Sequence, residues 1–126
     1  IYICAMEKII STPRRPDITF HASGIIYITA RVARILQLSE ESCINVAKEK
    51  GEHLLFAEHR DRLIGCHTGR CYPVNAGSRY YRANSVKLCR AILDVCGMSR
   101  RAALMCGEPI YINGKPHLPI ITAIAL

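Results

Sequence analysis

The residue types best suited to metal chemistry lie in one short segment, Cys66-His67-Thr68-Gly69-Arg70-Cys71. Thiolates and imidazole are common zinc ligands, and a glycine among them would let them converge. However, zinc usually takes four ligands, with cysteines paired two residues apart. Here four residues separate the two cysteines, and His59, Cys89 or His117 would have to complete the site. We therefore predict an ordinary loop with no metal and no other cofactor, and keep a small metal-binding protein as an alternative.

The sequence marks no catalytic centre. A cysteine nucleophile needs a base and an orienting group beside it, and no local motif places the seven cysteines next to such groups. Acidic residues are scarce in the second half, where only Asp94 and Glu108 occur, which disfavours a carboxylate-pair hydrolase. No phosphate-cradling glycine loop precedes a helix. We predict that the protein is not an enzyme.

Arginine is the residue type here with the clearest chemical use, because its fork donates two parallel hydrogen bonds to phosphate or guanine. The net charge is +7, of which residues 1–62 contribute +1 (nine basic, eight acidic) and residues 63–126 contribute +6 (eight basic, two acidic). A basic half indicates an anionic partner, most commonly nucleic acid, although such charge also serves solubility. The candidate DNA contacts are Arg14, Arg15, Arg31, Arg34, Arg79, Arg82, Lys87 and Arg90.

Two tyrosines, Tyr80 and Tyr81, lie between Arg79 and Arg82. Aromatic side chains beside arginines favour contact with bases or the nucleic-acid backbone. The alternative is that the charges form a solvated face and that one tyrosine belongs to the core.

The cysteines indicate a reducing compartment. Their number is odd, no secretory signal accompanies them, and Cys43, Cys89, Cys96 and Cys106 lie in apolar runs, so we predict free, mostly buried thiols without a disulfide. No stretch approaches the 18 apolar residues of a membrane span. We expect a cytoplasmic protein without a membrane partner.

In the first half, the elements that would position the arginines follow from periodicity. Residues 17–28 alternate between apolar and polar, with an interruption at Gly24, which predicts strands joined by a turn. Thr29 would cap a short helix, Ala30 to Leu36, whose apolar residues recur at helical spacing. A strand from Cys43 to Ala47, a charged hairpin tip at 48–52 and a return strand through Leu54 and Phe56 complete this half.

The second half repeats the order. A short strand, Arg79 to Ala83, precedes a helix from Ser85 to Cys96 that Asn84 or Ser85 would cap and Gly97 would end. A strand at 103–105 follows, and Asn113-Gly114 predicts a hairpin. Three prolines would push these last strands toward sheet edges, namely Pro109, Pro116 and Pro119.

This likeness between the halves predicts a degenerate tandem repeat, unless two common units merely coincide. We expect a flexible arm at 1–16 and a single compact domain at 17–126 made of two repeat-like halves, 17–62 and 78–126.

The first half resembles the AbrB-type domains, which include the MazE-like antitoxins. These domains have a glycine, an alternating strand, a proline, a short helix with a Leu-Gly-Leu end, and then a Gly-Asp turn and a strand. The segments 24–29, 30–38 and 39–46 are similar to these parts over 23 residues without a gap. The resembling unit covers about 17–59, with a possible second copy at about 78–121.

The sequence departs from the family pattern at four places. Thr29 replaces the usual proline, Gln37 a glycine, Glu41-Ser42 the Gly-Asp turn, and Ile25 a common arginine. The loss of that arginine weakens the transfer of a DNA-contact residue.

The resemblance implies an α+β fold, a β-rich swapped-hairpin-like barrel built from two degenerate strand-helix-hairpin units. It also implies a bacterial, DNA-binding transcriptional regulator or antitoxin-like module that contacts duplex DNA through a basic surface. The alternative is a protein-interaction or oligomerisation module, for instance a homodimer, without nucleic-acid binding.

Overall fold

Two helices and nine strands are formed by the residues that the computed structural model describes, which are 15–59, 71–73 and 80–123. The helices are α1 (Ala30–Leu36) and α2 (Val86–Cys96). The strands are β1 (Ile18–His21), β2 (Ile25–Ile28), β3 (Ser42–Glu49), β4 (Glu52–His59), β5 (Tyr72–Pro73), β6 (Tyr81–Asn84), β7 (Arg101–Cys106), β8 (Ile110–Ile112) and β9 (Lys115–Ile121).

The strands form one curled antiparallel sheet. Its order is β3-β4-β9-β7-β1-β2-β6-β5, with β8 paired to β9. The backbone N–H of Cys71, just before β5, donates to the carbonyl of Ser42 at the start of β3 (3.0 Å), so the two ends of this order approach each other. The protein is therefore a strand-rich α+β fold with a half-barrel sheet, which confirms the predicted class at that level.

Strand alternation separates a buried side of the sheet from a solvent side. In β1, β2, β6 and β7 the buried side carries Ile18, Phe20, Ile26, Ile28, Ala83, Ala102 and Leu104, which are at most 1% exposed. α2 covers this side with its apolar stripe of Leu88, Cys89, Ile92 and Leu93, and α1 adds Val32, Ala33 and Leu36. Side chains from residues 17–59 and 80–121 thus share one core cluster.

Both helices lie where periodicity predicts them, but they begin differently. Ser85 caps α2, since its hydroxyl accepts from the backbone N–H of Leu88 (3.1 Å), as predicted. Thr29 occupies the N-cap position of α1 but makes no side-chain cap bond. Its hydroxyl instead donates to the carbonyl of Asp17 (3.0 Å). The prediction that the Thr29 side chain caps α1 is therefore wrong, because the carbonyl of Asp17, just before β1, takes the hydroxyl.

Both helices end in the same way. Gln37 after α1 and Gly97 after α2 are left-handed, with φ of 56° and 68°. The next N–H closes each helix end: Leu38 donates to Ala33 (2.9 Å) and Met98 donates to Leu93 (3.0 Å). This is the Schellman arrangement, for which glycine is the usual residue, so Gln37 adopts a backbone conformation that costs it free energy.

The predicted hairpin tips are confirmed at Lys50-Gly51 and Asn113-Gly114, where both residues of each pair have positive φ. Such pairs form the tight turns that match strand twist. At Gly24, which joins β1 to β2 with φ 103°, a Cβ would lie only 2.8 Å from the Val86 side chain. Glycine is therefore required there both by the turn and by the close approach of α2.

The prediction that prolines place the last strands at sheet edges is wrong for β9. This strand contains Pro116 and Pro119, yet it lies inside the sheet, between β4 and β7. The carbonyl of Pro119 accepts from the N–H of Gly107 (2.8 Å), just beyond the end of β7. The proline nitrogen faces the same side, where the β7 ladder has ended and no strand N–H is needed.

The prediction of free thiols throughout is also wrong. Cys43 is disulfide-bonded, and its partner lies outside the described residues. Cys71, Cys89, Cys96 and Cys106 are not disulfide-bonded. An apolar setting predicts burial, and Cys43 is fully buried, but the setting does not reveal whether a second cysteine is brought near by a distant segment.

Among the described residues, no helix combines the length and apolar character needed to cross a membrane. Residues 1–14, most of the predicted arm, lie outside the described part of the chain.

The two left-handed helix ends give a matched test. We expect Gly97→Ala to lower the free energy of unfolding by about 1 kcal/mol, because alanine tolerates positive φ poorly. No atom lies within 4 Å of an added Cβ at Gly97, so packing should not contribute. Gln37→Gly should stabilise by up to about 1 kcal/mol for the converse reason. Urea unfolding of both variants measures this, and effects of equal sign would contradict the assigned helix ends.

Candidate nucleic-acid interface

The solvent side of β7, β1, β2 and β6 forms a four-stranded face with two adjacent rows of paired residues. Directly opposed residues in antiparallel strands share a side of the sheet. The registers therefore place Arg101, His21, Ile25 and Asn84 in one row and Ala103, Thr19, Tyr27 and Arg82 in the next. We call these eight positions the outer sheet face. None of them is acidic.

An aromatic pair occupies the middle of the outer sheet face. The rings of His21 on β1 and Tyr27 on β2 meet edge to face, with centroids 5.4 Å apart and planes at 88°. Tyr27 is 45% exposed. A perpendicular contact covers at most one face of the tyrosine ring, so aromatic surface remains open to solvent.

Arginines flank this pair on both sides. Arg101 on β7 is exposed and lies directly opposite His21, and Arg82 on β6 is half-buried and lies directly opposite Tyr27. Strand spacing of about 4.8 Å and a two-residue offset put their Cα atoms roughly 16 Å apart. The outer sheet face thus has cationic sides and an aromatic centre.

The predicted contact residues do not share this face. Arg82 lies on it, whereas Lys87 and Arg90 are exposed on the side of α2 opposite its buried stripe. Arg34 is exposed in the last turn of α1, and Arg15 is exposed before β1. Arg14 and Arg79 lie outside the described residues.

Arg31 is engaged within the fold. Its Nη1 lies 3.3 Å from Oδ1 of Asp17, a carboxylate that is 5% exposed as a residue. The same Nη1 is buried without a hydrogen-bond partner, so the contact is an ion pair with imperfect hydrogen-bond alignment. The other oxygen of Asp17 accepts from the N–H of Cys106 (2.8 Å). A role in holding α1 to the sheet follows directly from these contacts, whereas DNA contact by Arg31 stays a prediction.

The two tyrosines of the second half have different surroundings. Tyr80 is 50% exposed, and Tyr81 is half-buried against the core cluster. Alternation along β6 places Tyr80 on the same side of the sheet as Arg82. Tyr80 is therefore the tyrosine that lies beside Arg82 on the exposed side, whereas Tyr81 belongs with the core.

Sequence reasoning missed three members of the outer sheet face: Arg101, His21 and Tyr27. A usable signal exists in β1, whose polar positions alternate with buried apolar ones, and in β2, where Tyr27 lies between the buried Ile26 and Ile28. What the sequence does not show is that β7 pairs with β1, because the two strands are about 80 residues apart in the chain.

The proposed metal ligands divide between described and undescribed residues. Cys66 and His67 lie outside the described part of the chain, and Cys71 is fully buried in the core cluster. Burial raises the pKa of the Cys71 thiol to about 12. A neutral, desolvated thiol is a poor ligand because metals bind thiolate. Within the described ranges, no three histidine, cysteine or acidic side chains form a group that could hold a metal.

One open cleft offers a different kind of site. Its volume is about 330 Å³, and it lies between the end of α1 and the ends of β4 and β9. Glu58 and Lys115 give its lining both charge signs. The hydroxyl of Ser42 is held within the turn, where it accepts from the N–H of Ser39 (3.0 Å). This cleft lacks the uniform charge of the outer sheet face, which remains the better candidate site.

Comparisons with known proteins return no matching family model, no matching curated protein and no matching solved structure.

Two arginines on α1 give a matched test of structural against solvent-exposed charge. We expect Arg31→Ala to lower the free energy of unfolding by about 1–3 kcal/mol, because it removes the guanidinium beside the buried carboxylate of Asp17. Arg34→Ala, three residues further on, should change it by less than about 0.5 kcal/mol. Chemical denaturation of both variants measures the two changes in the free energy of unfolding. Equal decreases would contradict the structural role of Arg31.

The raised pKa of Cys71 makes a thiol-reactivity test possible. Since thiolate is the reactive form, Cys71 should resist iodoacetamide at about pH 8 in the folded protein and react after denaturation. Half-exposed Cys96 is the control and should react before Cys71. Peptide mass spectrometry reads both sites. The unfolded thiol ionises near 9.0 while the folded thiol stays protonated, so this group should also reduce stability as the pH rises above 9.

Proposed function

We propose that this protein is a DNA-binding regulator or antitoxin-like module that holds duplex DNA mainly by its phosphates. The observation that carries the proposal is the outer sheet face, where Arg101 and Arg82 flank an exposed aromatic centre without a carboxylate among the eight positions. Arginines at such a surface neutralise phosphates and position the protein on the duplex. The net charge of +7 adds long-range attraction.

The proposal includes a swapped-hairpin-like architecture of two strand-helix-hairpin units. The register between β2 and β6 supports it, because Ile25 opposes Asn84 and Ile28 opposes Tyr81. Ile28 and Asn84 each immediately precede an N-cap residue, so the two strands meet through equivalent positions, as a local twofold axis requires. The shared left-handed ends of α1 and α2 support the same relationship.

A cytoplasmic location is also part of the proposal. The absence of a disulfide at Cys71, Cys89 and Cys96 supports it, because oxidising compartments favour paired cysteines. The disulfide at Cys43 instead favours an oxidising compartment.

A protein-interaction module is the second candidate function. Apolar side chains are unusually exposed on β8 and on β9, with Tyr111 at 67%, Ile110 at 44% and Ile121 at 43%. Exposed apolar groups on neighbouring strands are typical of interaction surfaces. Sedimentation equilibrium of the wild type and of an Ile110→Ser/Tyr111→Ser double variant tests it, since a self-association through this hairpin should be lost.

The regulator proposal is tested by the salt dependence of duplex binding. A protein that neutralises about five phosphates should show a log–log slope of about −4.5 between affinity and salt. The Arg82→Ala/Arg101→Ala double variant should flatten that slope by about 1.8, which corresponds to two contacts. Fluorescence anisotropy with a labelled duplex measures both proteins.

Lys48→Ala is the control, because Lys48 is exposed on β3 and its loss removes one charge away from the outer sheet face. It should change the slope by much less than Arg101→Ala does, and Arg101→Ala should scarcely alter thermal stability. If the wild type binds no duplex at low salt, the proposal fails. If the double variant keeps the wild-type slope, DNA contact lies elsewhere, and the Lys87 and Arg90 side of α2 is the next surface to vary.

A further inference from the structure

The width of the outer sheet face limits how it can meet a duplex. Four strands about 4.8 Å apart span roughly 14 Å between their outer Cα rows, before side chains are added. The major groove is about 12 Å wide and admits a helix or a two-stranded ribbon. The face is therefore too broad to enter the groove flat. On a duplex, only its flanking arginines would reach phosphates.

Tyr27 then makes no contact with a closed DNA duplex. It lies on β2, one of the two inner strands of the face, between Arg82 directly across and His21 on the neighbouring strand. The outer sheet face does not enter the groove, and the bases of a closed duplex stay paired inside it. The ring of Tyr27 therefore cannot approach such a base. It is nevertheless 45% exposed and held in place by the perpendicular contact with His21.

Unpaired nucleotides fit these features. A base without a partner presents its own flat surface, which stacks on an aromatic side chain whatever the base identity. The arginines at the two sides, roughly 16 Å apart at their Cα atoms, lie on either side of the ring, where they can reach phosphates of the strand that carries the stacked base. Arg101 is exposed and Arg82 half-buried, and the eight positions carry no acidic group that would repel the backbone.

We infer that the outer sheet face is a binding site for an unpaired stretch of nucleic acid, with one base stacked on Tyr27 and phosphates of the same strand, on the two sides of that base, held by Arg101 and Arg82. This inference rests on the proposed function, since it uses the same surface. It goes further because it names a single-stranded ligand, such as the displaced strand of an opened duplex. It also predicts that this ligand binds more tightly than the closed duplex.

The test compares three probes on the full chain: a short oligothymidylate, the matching oligouridylate and a duplex of equal length. At one low salt concentration, the single strands should bind more tightly than the duplex. Tyr27→Ala should weaken single-strand binding by about tenfold or more, the size of one lost stacking contact, and leave duplex binding nearly unchanged. Tyr27→Phe should retain wild-type affinity, because stacking needs the ring and not the hydroxyl.

Two further variants keep the test decisive. Tyr27→Leu preserves an apolar side chain in the strand without a planar ring, so it separates stacking from folding if Tyr27→Ala is unstable. Tyr111→Ala removes another exposed tyrosine, on β8, and should have no effect. The thymidylate and uridylate arms show whether deoxyribose or ribose is preferred, and binding to either with Tyr27 dependence supports the inference.

The failures of the two proposals are distinguishable. Duplex binding that equals or exceeds single-strand binding, with no loss in Tyr27→Ala or Tyr27→Leu, overturns the stacking site and leaves the regulator proposal standing. Absence of binding to all three probes overturns both.

Discussion

The interaction on which the arrangement of the other elements depends is the set of contacts made by Asp17. Its backbone N–H donates to Leu104 and its carboxylate accepts from the N–H of Cys106, so both ends of the residue hold β7. Its carbonyl accepts from Thr29, and its carboxylate pairs with Arg31, which fixes the start of α1. A buried carboxylate is costly unless it is paired in this way. One short polar residue therefore joins β1, β7 and α1, elements from both halves of the chain.

Local structure was largely predictable because short-range patterns determine it. The apolar spacing of α1 and α2, the glycine-containing hairpin tips and the Ser85 cap all depend on residues within a few positions of one another. The errors share the opposite property. Thr29 gives its hydroxyl to Asp17, 12 residues away, Pro119 is tolerated because β7 ends beside it, and Cys43 is paired with a distant cysteine. Each depends on a residue elsewhere in the chain, which periodicity does not encode.

The same reason explains why only part of the candidate site was predicted. The sequence predicted a contact segment at Arg79-Tyr80-Tyr81-Arg82 because charged and aromatic residues are adjacent there in the chain. Arg101, His21 and Tyr27 become neighbours only through the pairing of β7 with β1 and of β1 with β2. Arg31 shows the reverse error, since a charge that looks available in the sequence is drawn inward by Asp17. Charge type is readable from the sequence, whereas the surface that the charge occupies is a tertiary property.

The inner position of β9 has a consequence for how the chain acquires its structure. Residues 115–121 fill the gap between β4 and β7, so a nascent chain that has not yet reached them can pair β3 with β4 but exposes two open edges. Exposed edges template aggregation, and pairing between strands so far apart in sequence is intrinsically slow. The sheet should therefore not close until β9 has emerged from the ribosome, and shielding by a chaperone would matter most before that point.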